Sequence, residues 1–285
     1  MRLAFLLALL AACETATPDS GDPDSGDPDS GDTAFAPGDV LPGQLCPLRD
    51  RIGVVVVLPV GNVANVYGQI YDRPNPWYGE PELSTSTCDF HRFATASCGD
   101  CAEGEVCGVD GACTAQPRTL KDLHIELTHP GGTNSFDADA ATGYAYGEAG
   151  PVGAEFALSA SFGGQKIQAP AFALASADIE VEVDFEGDST VPGALTASWA
   201  ASDAGGLLVS LISINHHAAG PTFTSCSAPA SATGFAADAE MIDPLAVVTG
   251  LEFQGVEHLN VAAAQTELGC VELRFGGATP VTILP

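Results

Sequence analysis

The sequence predicts an all-β protein, an antiparallel β-sandwich of immunoglobulin-like size or larger, joined to a small disulfide-rich module. Three observations lead to this prediction. Apolar and polar residues alternate with the two-residue period of half-buried strands through much of the chain. Turn residues interrupt the alternation roughly every 8–15 positions. Cysteines and glycines cluster between residues 88 and 113, which is typical of a loop-rich module crosslinked by disulfides.

The first predicted strands precede the cysteine cluster. The β-branched run 52–59 is bounded by turn residues, and 65–71 is predicted to be its partner strand. The proline-rich segment 71–81 is predicted to be a loop. Its Trp77 and Tyr78 are a possible binding surface, although aromatic residues in such loops more often cap a small core.

The cysteine cluster is expected to hold disulfides and no metal. Cys98 and Cys101 have the Cys-x-x-Cys spacing that indicates zinc or redox chemistry in a cytosolic protein. An exported chain favours oxidation instead, and no strand-to-helix pattern surrounds this pair. The predicted module covers residues 86–116.

The rest of the chain is predicted to consist mainly of strands. The clearest is 179–186, where four apolar residues alternate with four carboxylates, as expected for a sheet with one face on a core and one face in water. That row of carboxylates is more typical of a solvated face than of a glycosidase pair. Residues 236–247 are expected to form one helical turn at most. Further strands are predicted at 123–128, 156–162, 195–199, 208–214, 251–253 and 271–275.

The N-terminal residues have the features of a bacterial export signal. Arg2 precedes an uncharged apolar stretch, and the small pair Ala11-Ala12 fits a signal-peptidase site. The segment Leu10-Ala-Ala-Cys13 resembles the bacterial lipobox, in which the cysteine is lipidated and becomes the first residue of the mature chain. The resemblance implies that residues 1–12 are a lipoprotein signal peptide and that Cys13 carries the anchor. The alternative is an ordinary secretory signal with a chance cysteine.

An acidic repeat follows this signal. The unit Pro-Asp-Ser-Gly-Asp occurs three times, starting at Pro18, Pro23 and Pro28, and the run 14–33 has no large apolar side chain. Such a run cannot bury enough surface to fold, so residues 13–45 are predicted to be a disordered tether. A calcium-binding loop is the alternative, but the bidentate glutamate and the ligand spacing are lacking. The predicted order continues with strands and module at 46–118 and a β-sandwich at 119–285.

The cysteine count is consistent with this organisation. There are nine cysteines, and lipidation of Cys13 leaves an even number for four disulfides. Eight cysteines allow 105 connectivities, and sequence position favours pairing between neighbours. The expected disulfides are Cys46–Cys88, Cys98–Cys107, Cys101–Cys113 and Cys226–Cys270.

Charge and motifs limit the possible functions. The chain has 9 Lys and Arg against 37 Asp and Glu, a net charge of −28, which repels nucleic acid and anionic lipid headgroups. We therefore expect no nucleic-acid partner, and membrane contact through the lipid anchor only. No Gly-x-Ser-x-Gly nucleophile elbow is present. His124, Glu126 and His216 are a conceivable metal site, but nothing in the sequence requires them to be close together. No cofactor and no metal are expected.

The order of the motifs carries a second resemblance. After the cysteine module come Leu195-Thr-Ala-Ser-Trp199, residues 208–217 ending in His-His, and Ser225-Cys-Ser-Ala-Pro229. Together with the lipobox and the tether, this resembles a family of uncharacterised surface lipoproteins common in myxobacteria-like Gram-negative bacteria. The resemblance implies an all-β body and no particular activity.

The expected function is that of a lipid-anchored extracytoplasmic protein, not an enzyme, with a binding or structural role toward an unknown protein or glycan. Glu14 follows the lipidated cysteine. By resemblance to other lipoproteins, an aspartate there would signal retention in the inner membrane, so we expect the outer membrane, on its periplasmic or cell-surface face. The alternative is a secreted hydrolase or metal-dependent enzyme on a β-sandwich scaffold.

Overall fold

The strands of this protein form one large sheet and three smaller ones. The computed structural model describes residues 36–92, 98–150, 155–175, 179–188, 191–214, 222–246 and 251–284. The predicted signal peptide, Cys13 and the acidic repeat lie outside the described residues. The strands are β1 (Val40–Pro42), β2 (Arg51–Val60), β3 (Val63–Ile70), β4 (Leu83–Ser84), β5 (Cys88–His91), β6 (Glu105–Cys107), β7 (Cys113–Ala115), β8 (His124–His129), β9 (Gly132–Asp137), β10 (Tyr144–Ala149), β11 (Glu155–Phe162), β12 (Gln165–Ala173), β13 (Val181–Asp188), β14 (Val191–Ser198), β15 (Leu207–Ile214), β16 (Phe223–Pro229), β17 (Gly234–Ala237), β18 (Leu251–Thr266), β19 (Gly269–Ala278) and β20 (Val281–Ile283).

The large sheet has ten strands in the order β10-β3-β2-β19-β18-β15-β16-β5-β4, with β1 also paired to β18. Its neighbours are antiparallel except for β2 and β19, which are parallel. The strand β18 is 16 residues long. It pairs with β19 along one edge, and with β15 and then β1 along the other.

One half of the large sheet packs on the four-stranded sheet β12-β11-β8-β9. This first core is filled by inward residues such as Val55 and Leu273 from the large sheet and Ile125 and Leu158 from the smaller one. The Phe172 ring stacks on Phe275 at a centroid distance of 4.6 Å. Alternate residues of β8 and β11 face this core, as the period of two in the sequence predicts.

The other half of the large sheet packs on the sheet β17-β14-β13-β20, which forms a second core. Leu208 and Ile212 of β15 meet Val183 of β13 there. Within β18, Val256 belongs to the second core and Ala262 to the first. These two residues are an even number of positions apart, so both cores lie on the same face of the large sheet. The predicted all-β sandwich with a small disulfide-rich module is confirmed, as two sandwiches that share one sheet.

The helix α1 (Ala239–Ala246) is longer than expected. One turn at most is expected from the sequence, whereas the structure has eight helical residues that pack on β14 and β15. Met241, Ile242 and Leu245 are buried in the second core. Burial of this apolar side outweighs the poor helix propensity of a segment that contains Pro244. Among the described residues, no helix has the length and apolar character needed to cross a bilayer.

Two of the predicted boundaries are wrong. The tether is expected to run to residue 45, but β1 pairs with β18 and the Gly38 amide donates to the Gln265 carbonyl at 2.8 Å. The boundary between 118 and 119 is expected to separate two regions, yet β2 and β3 lie in the same sheet as β18 and β19. The cause is the parallel pairing of β2 with β19, two strands from opposite ends of the chain, which periodicity cannot reveal.

The disulfides of the module agree with the prediction, and the other two do not. Cys98–Cys107 and Cys101–Cys113 are present as expected. The structure has Cys46–Cys270 and Cys88–Cys226 in place of the predicted Cys46–Cys88 and Cys226–Cys270. Cys88 in β5 lies directly opposite Cys226 in β16. Cys270 in β19 lies beside Arg51 of β2, close to the segment that holds Cys46. Each of these disulfides therefore joins distant parts of the chain.

Removal of Cys88–Cys226 is expected to destabilise the folded body strongly. Cys88 and Cys226 are 138 positions apart in the sequence, whereas Cys98 and Cys107 are 9 positions apart. In the chain-entropy model, a loop of about 100 residues contributes about 4.7 kcal/mol. We expect the Cys88→Ala/Cys226→Ala variant to lose about 3–5 kcal/mol in free energy of unfolding, measured by urea denaturation with tryptophan fluorescence. The control is Cys98→Ala/Cys107→Ala, and a loss no larger than in the control would contradict the expectation.

Candidate functional site

The face of the large sheet opposite the two cores holds the candidate site. We call it the open face, and it has two features, a cleft and a group of exposed tyrosines. The cleft has a volume of about 1190 Å³ and lies over β15, β16 and β5. Its walls are residues 43–51, which follow β1, and residues 78–81 of the loop that follows β3.

The floor of the cleft is formed by outward side chains of neighbouring strands. Ser225 of β16 lies opposite Asp89 of β5, and Phe223 lies opposite His91. Val209 of β15 continues the floor toward the centre of the sheet. Polar and apolar side chains are therefore mixed across a broad surface.

A buried carboxylate fixes one wall of the cleft to the sheet. The Glu272 side chain in β19 is 1% exposed. It accepts hydrogen bonds from the Cys46 backbone amide at 3.1 Å and from Arg274 Nε at 2.6 Å, and Arg51 Nη1 lies 3.5 Å from it. Burying one carboxylate is expensive unless cations and donors compensate it, and here two guanidinium groups and an amide do so.

The cleft is close to neutral in spite of the acidic composition, because four carboxylates and three arginines line it. Three of the chain's nine basic side chains, Arg49, Arg51 and Arg274, line it. Arg49 pairs with Glu80, which joins the two walls, and Arg274 Nη1 lies 3.5 Å from Glu257 Oε2. Since each arginine contacts a carboxylate, the cleft is not a simple anion-binding site.

Aromatic rings form the far end of the cleft. Tyr78 meets the Phe223 ring edge-on at a centroid distance of 5.9 Å, and Phe223 stacks on His91 at 5.0 Å. Burial lowers the pKa of His91, the nearby Asp89 opposes this effect, and Arg51 adds to it. Tyr78 of the predicted binding surface therefore lines the cleft, while Trp77 beside it is 38% exposed.

The second feature of the open face is a group of three tyrosines, Tyr67, Tyr144 and Tyr146, which we call the tyrosine patch. Tyr146 of β10 lies directly opposite Tyr67 of β3, and Tyr144 stacks on Tyr67 at a centroid distance of 6.2 Å with 28° between the ring planes. Tyr144 is 40% exposed and Tyr146 is 57% exposed. The three rings therefore present a partly exposed aromatic surface at one end of the sheet.

Polar groups border the tyrosine patch. Asn65 and Gln69 of β3 face the same side as Tyr67, and Tyr71 donates a hydrogen bond from its hydroxyl to Gln69 Oε1 at 3.1 Å. Burial raises the pKa of Tyr67, and the charge of Glu257 adds to the shift. The Tyr67 phenol is therefore protonated at neutral pH and can donate a hydrogen bond.

The histidine site considered from the sequence is not assembled among the described residues. His124 Nδ1 lies 2.6 Å from Asp137 Oδ1 and its Nε2 lies 3.7 Å from Glu126 Oε1, on the solvent side of the sheet that holds β8. His216 lies outside the described residues. His129 is buried, and its Nε2 lies 2.7 Å from Asn134 Oδ1.

One group of sulfur atoms has the spacing of a metal site. The sulfurs of Cys98, Cys101 and Cys113 lie within 4.8 Å of one another. They belong to two adjacent disulfides, Cys98–Cys107 and Cys101–Cys113. A disulfide sulfur is not the thiolate that binds zinc, so this proximity reflects the packing of the module.

Sequence reasoning missed most of this face. The cleft joins Arg51 in β2 to Glu272 in β19, which are brought together only by strand pairing. The tyrosine patch has a local signal in the run 144–149, Tyr-Ala-Tyr-Gly-Glu-Ala, whose side chains alternate between large and small.

No protein-family model matches the chain, and neither does any curated protein.

The pKa values of His91 and His124 are expected to be shifted in opposite directions. Burial depresses the pKa of His91, so the unfolded chain binds more protons there and stability falls as the pH drops below about 6.5. The hydrogen bond to Asp137 raises the pKa of His124, so its stabilising effect is present at low pH and is lost as the pH rises through the folded value. We expect an NMR titration of the imidazole protons to place His91 below and His124 above about 6.5. Spectra of His91→Gln and His124→Gln give the assignments, and the reverse order would contradict this description.

Proposed function

We propose that this protein is a lipid-anchored extracytoplasmic protein of the bacterial envelope that binds a partner on its open face and catalyses no reaction. The observation that carries the proposal is the difference between the two faces of the large sheet. One face is covered by both hydrophobic cores. The other has a wide cleft and exposed aromatic rings. Exposed aromatic patches on a folded surface mark interaction sites.

The cysteines support export and anchoring. All eight cysteines after Cys13 are in four disulfides with one another, as an even number left after lipidation of Cys13 would require. Disulfides of this kind persist in oxidising compartments outside the cytoplasm. A cysteine at the end of a lipobox-like segment is the residue that carries the acyl chains in bacterial lipoproteins. Because the chain is so acidic, we assign its membrane attachment to inserted acyl chains and not to attraction by anionic headgroups.

The contents of the cleft support binding more than catalysis. Glu80, Glu257 and Glu272 are each paired with arginine, and His91 is stacked on Phe223. Tyrosine and arginine are among the residue types that are enriched at the energetic hot spots of protein-binding surfaces. The volume of about 1190 Å³ is above the range of about 300–1,000 Å³ that is usual for small-molecule pockets.

The position in the envelope is part of the proposal. Glu14 follows Cys13, and the acidic repeat separates the anchor from the first strand at Val40. A tether of about 20 extended residues at about 3.3 Å each reaches on the order of 65 Å. We place the protein at the outer membrane, on the periplasmic or the cell-surface face.

Lipidation is tested by metabolic labelling. Cells that express the full chain are grown with a radioactive fatty acid, and the protein is isolated and counted. We expect label in the wild type and none in Cys13→Ala. The matched control is Cys98→Ala, which removes a cysteine of the module and keeps the lipobox-like segment. Equal labelling of the wild type and Cys13→Ala would contradict the anchor.

Binding on the open face is tested by photocrosslinking in cells. A photoreactive amino acid replaces Tyr78 in the cleft or, as a control, Lys166, which is exposed on β12 of a smaller sheet. We expect a discrete adduct of higher mass from position 78 and none from position 166. The same pattern from both positions would contradict a binding role for the open face.

A further inference from the structure

The strand β10 directs its large side chains to the solvent and its small ones to the core. Ala145 and Ala149 are buried, whereas Tyr144 and Tyr146 point outward. A Cβ atom at Gly147 would overlap the Phe136 ring, so the core side has no room there for a larger residue. The core therefore accounts for the small residues of β10 and leaves the tyrosines unexplained. Large apolar surfaces kept in water are typical of binding sites.

The neighbouring strand repeats this arrangement. In β3, Tyr67 points outward and is followed by Gly68, whose missing Cβ leaves space for Ile125 of the opposite sheet. Tyr-Gly therefore occurs at residues 67–68 and 146–147, and the register places Tyr67 opposite Tyr146. Two strands that are distant in sequence thus combine to bring three phenol rings together on one surface.

The chemistry around the rings fits a sugar. A pyranose presents C–H groups on its face and hydroxyl groups around its rim. The C–H face packs on an aromatic ring, and the hydroxyls need donors and acceptors in its plane. Asn65 and Gln69 provide amide groups at the border of the tyrosine patch, and Tyr146 Oη lies 3.5 Å from Asn65 Oδ1. The Gln69 amide also accepts from the Tyr71 hydroxyl and lies 3.5 Å from the Thr142 carbonyl, which leaves one lone pair and one N–H for a ligand. Aromatic faces bordered by amides therefore lie on one sheet surface.

The negative charge of this surface favours some of the ligands that stack on aromatic rings over others. The chain has a net charge of −28, and Glu148 and Glu257 lie on the same side as the tyrosine patch. The nearby Arg274 is already paired with Glu272 and Glu257. Nucleic acid and acidic polysaccharides would meet repulsion from these carboxylates and from the net charge of the chain. A neutral ligand does not have this cost.

We infer that the tyrosine patch binds a neutral glycan, with the rings of Tyr67, Tyr144 and Tyr146 under the sugar faces and Asn65 and Gln69 bonded to their hydroxyls. The inference rests on the proposed binding function of the open face and names the ligand class for one end of it.

Affinity electrophoresis of the full-length purified protein tests this assignment. The gels contain laminarin, hydroxyethyl cellulose, xylan, galactomannan or glycogen as neutral polysaccharides, and alginate as an anionic one. We expect retardation by at least one neutral polysaccharide and none by alginate. Tyr144→Ala and Tyr146→Ala should each weaken binding by about tenfold, which corresponds to the loss of about 1.4 kcal/mol, while Tyr146→Phe should keep most of it.

The matched control is Ile283→Ala. Ile283 is 58% exposed, like Tyr146 at 57%, but lies on β20 of a smaller sheet, so its loss should leave retardation unchanged. Absence of retardation by every neutral polysaccharide would overturn the assignment. So would unchanged retardation of both tyrosine-to-alanine variants, or retardation by alginate alone.

A second experiment separates failure of the glycan assignment from failure of the proposed function. A photoreactive amino acid at position 146 is activated in cells, and the adduct is treated with protease and with a mixture of glycosidases. A glycosidase-sensitive adduct supports the glycan. An adduct that mass spectrometry shows to contain a second polypeptide would overturn the glycan and leave a binding function in place. No adduct from position 146 or from position 78 would contradict both.

Discussion

The long strand β18 is the element on which the rest of this structure depends. Its inward side gives Val256 to one core and Ala262 and Ala264 to the other, so the same strand closes both sandwiches. On the opposite side, Ala263 packs against the disulfide Cys46–Cys270. Alanines are needed at these positions because both faces of the strand are covered there, and larger side chains would separate the layers. Neither core is complete without β18, which makes the two sandwiches one folded unit.

Because both cores lie on one face of the large sheet, the opposite face is free to form the cleft. Because both smaller sheets lie on the same side, the residues that follow β1 pass over the other side and become a wall of the cleft. The disulfide Cys46–Cys270 holds that wall covalently, and Glu272 holds it through the Cys46 amide and Arg51. A buried carboxylate with hydrogen-bond donors in a cleft resembles a catalytic group. Here the contacts of Glu272 explain why the wall that contains Cys46 lies where it does. The main role of the Glu272 network is therefore to hold the wall of the cleft on the sheet.

Features that depend on local pattern were predictable, and features that depend on pairing were not. The strand at 52–59 follows from its β-branched run and the strand at 179–186 from alternation, and Val181 and Val183 are buried while Glu182 is exposed, as predicted. The length of β18 was missed because a run of alanines has little alternation. Cys88–Cys226 was missed because β5 and β16 become neighbours only in the sheet. The strand β10 is absent from the sequence prediction, and only the structure shows that its small residues face the core, where the Phe136 ring leaves no room for a Cβ atom at Gly147. The predicted anchor at Cys13 lies beyond the described residues and stays a prediction.

The cleft and the tyrosine patch are two ends of one surface, and Glu257 connects them. It lines the cleft, lies 3.5 Å from Arg274, and acts on the Tyr67 phenol strongly enough to help raise its pKa. From β10 toward β5, the open face thus changes from neutral aromatic rings to paired charges and then to serines and aromatic rings. A compact ligand would use only one of these regions. A polymeric form of the proposed glycan, lying across the strands, would meet all of them, with stacking at one end and hydrogen bonds in the cleft.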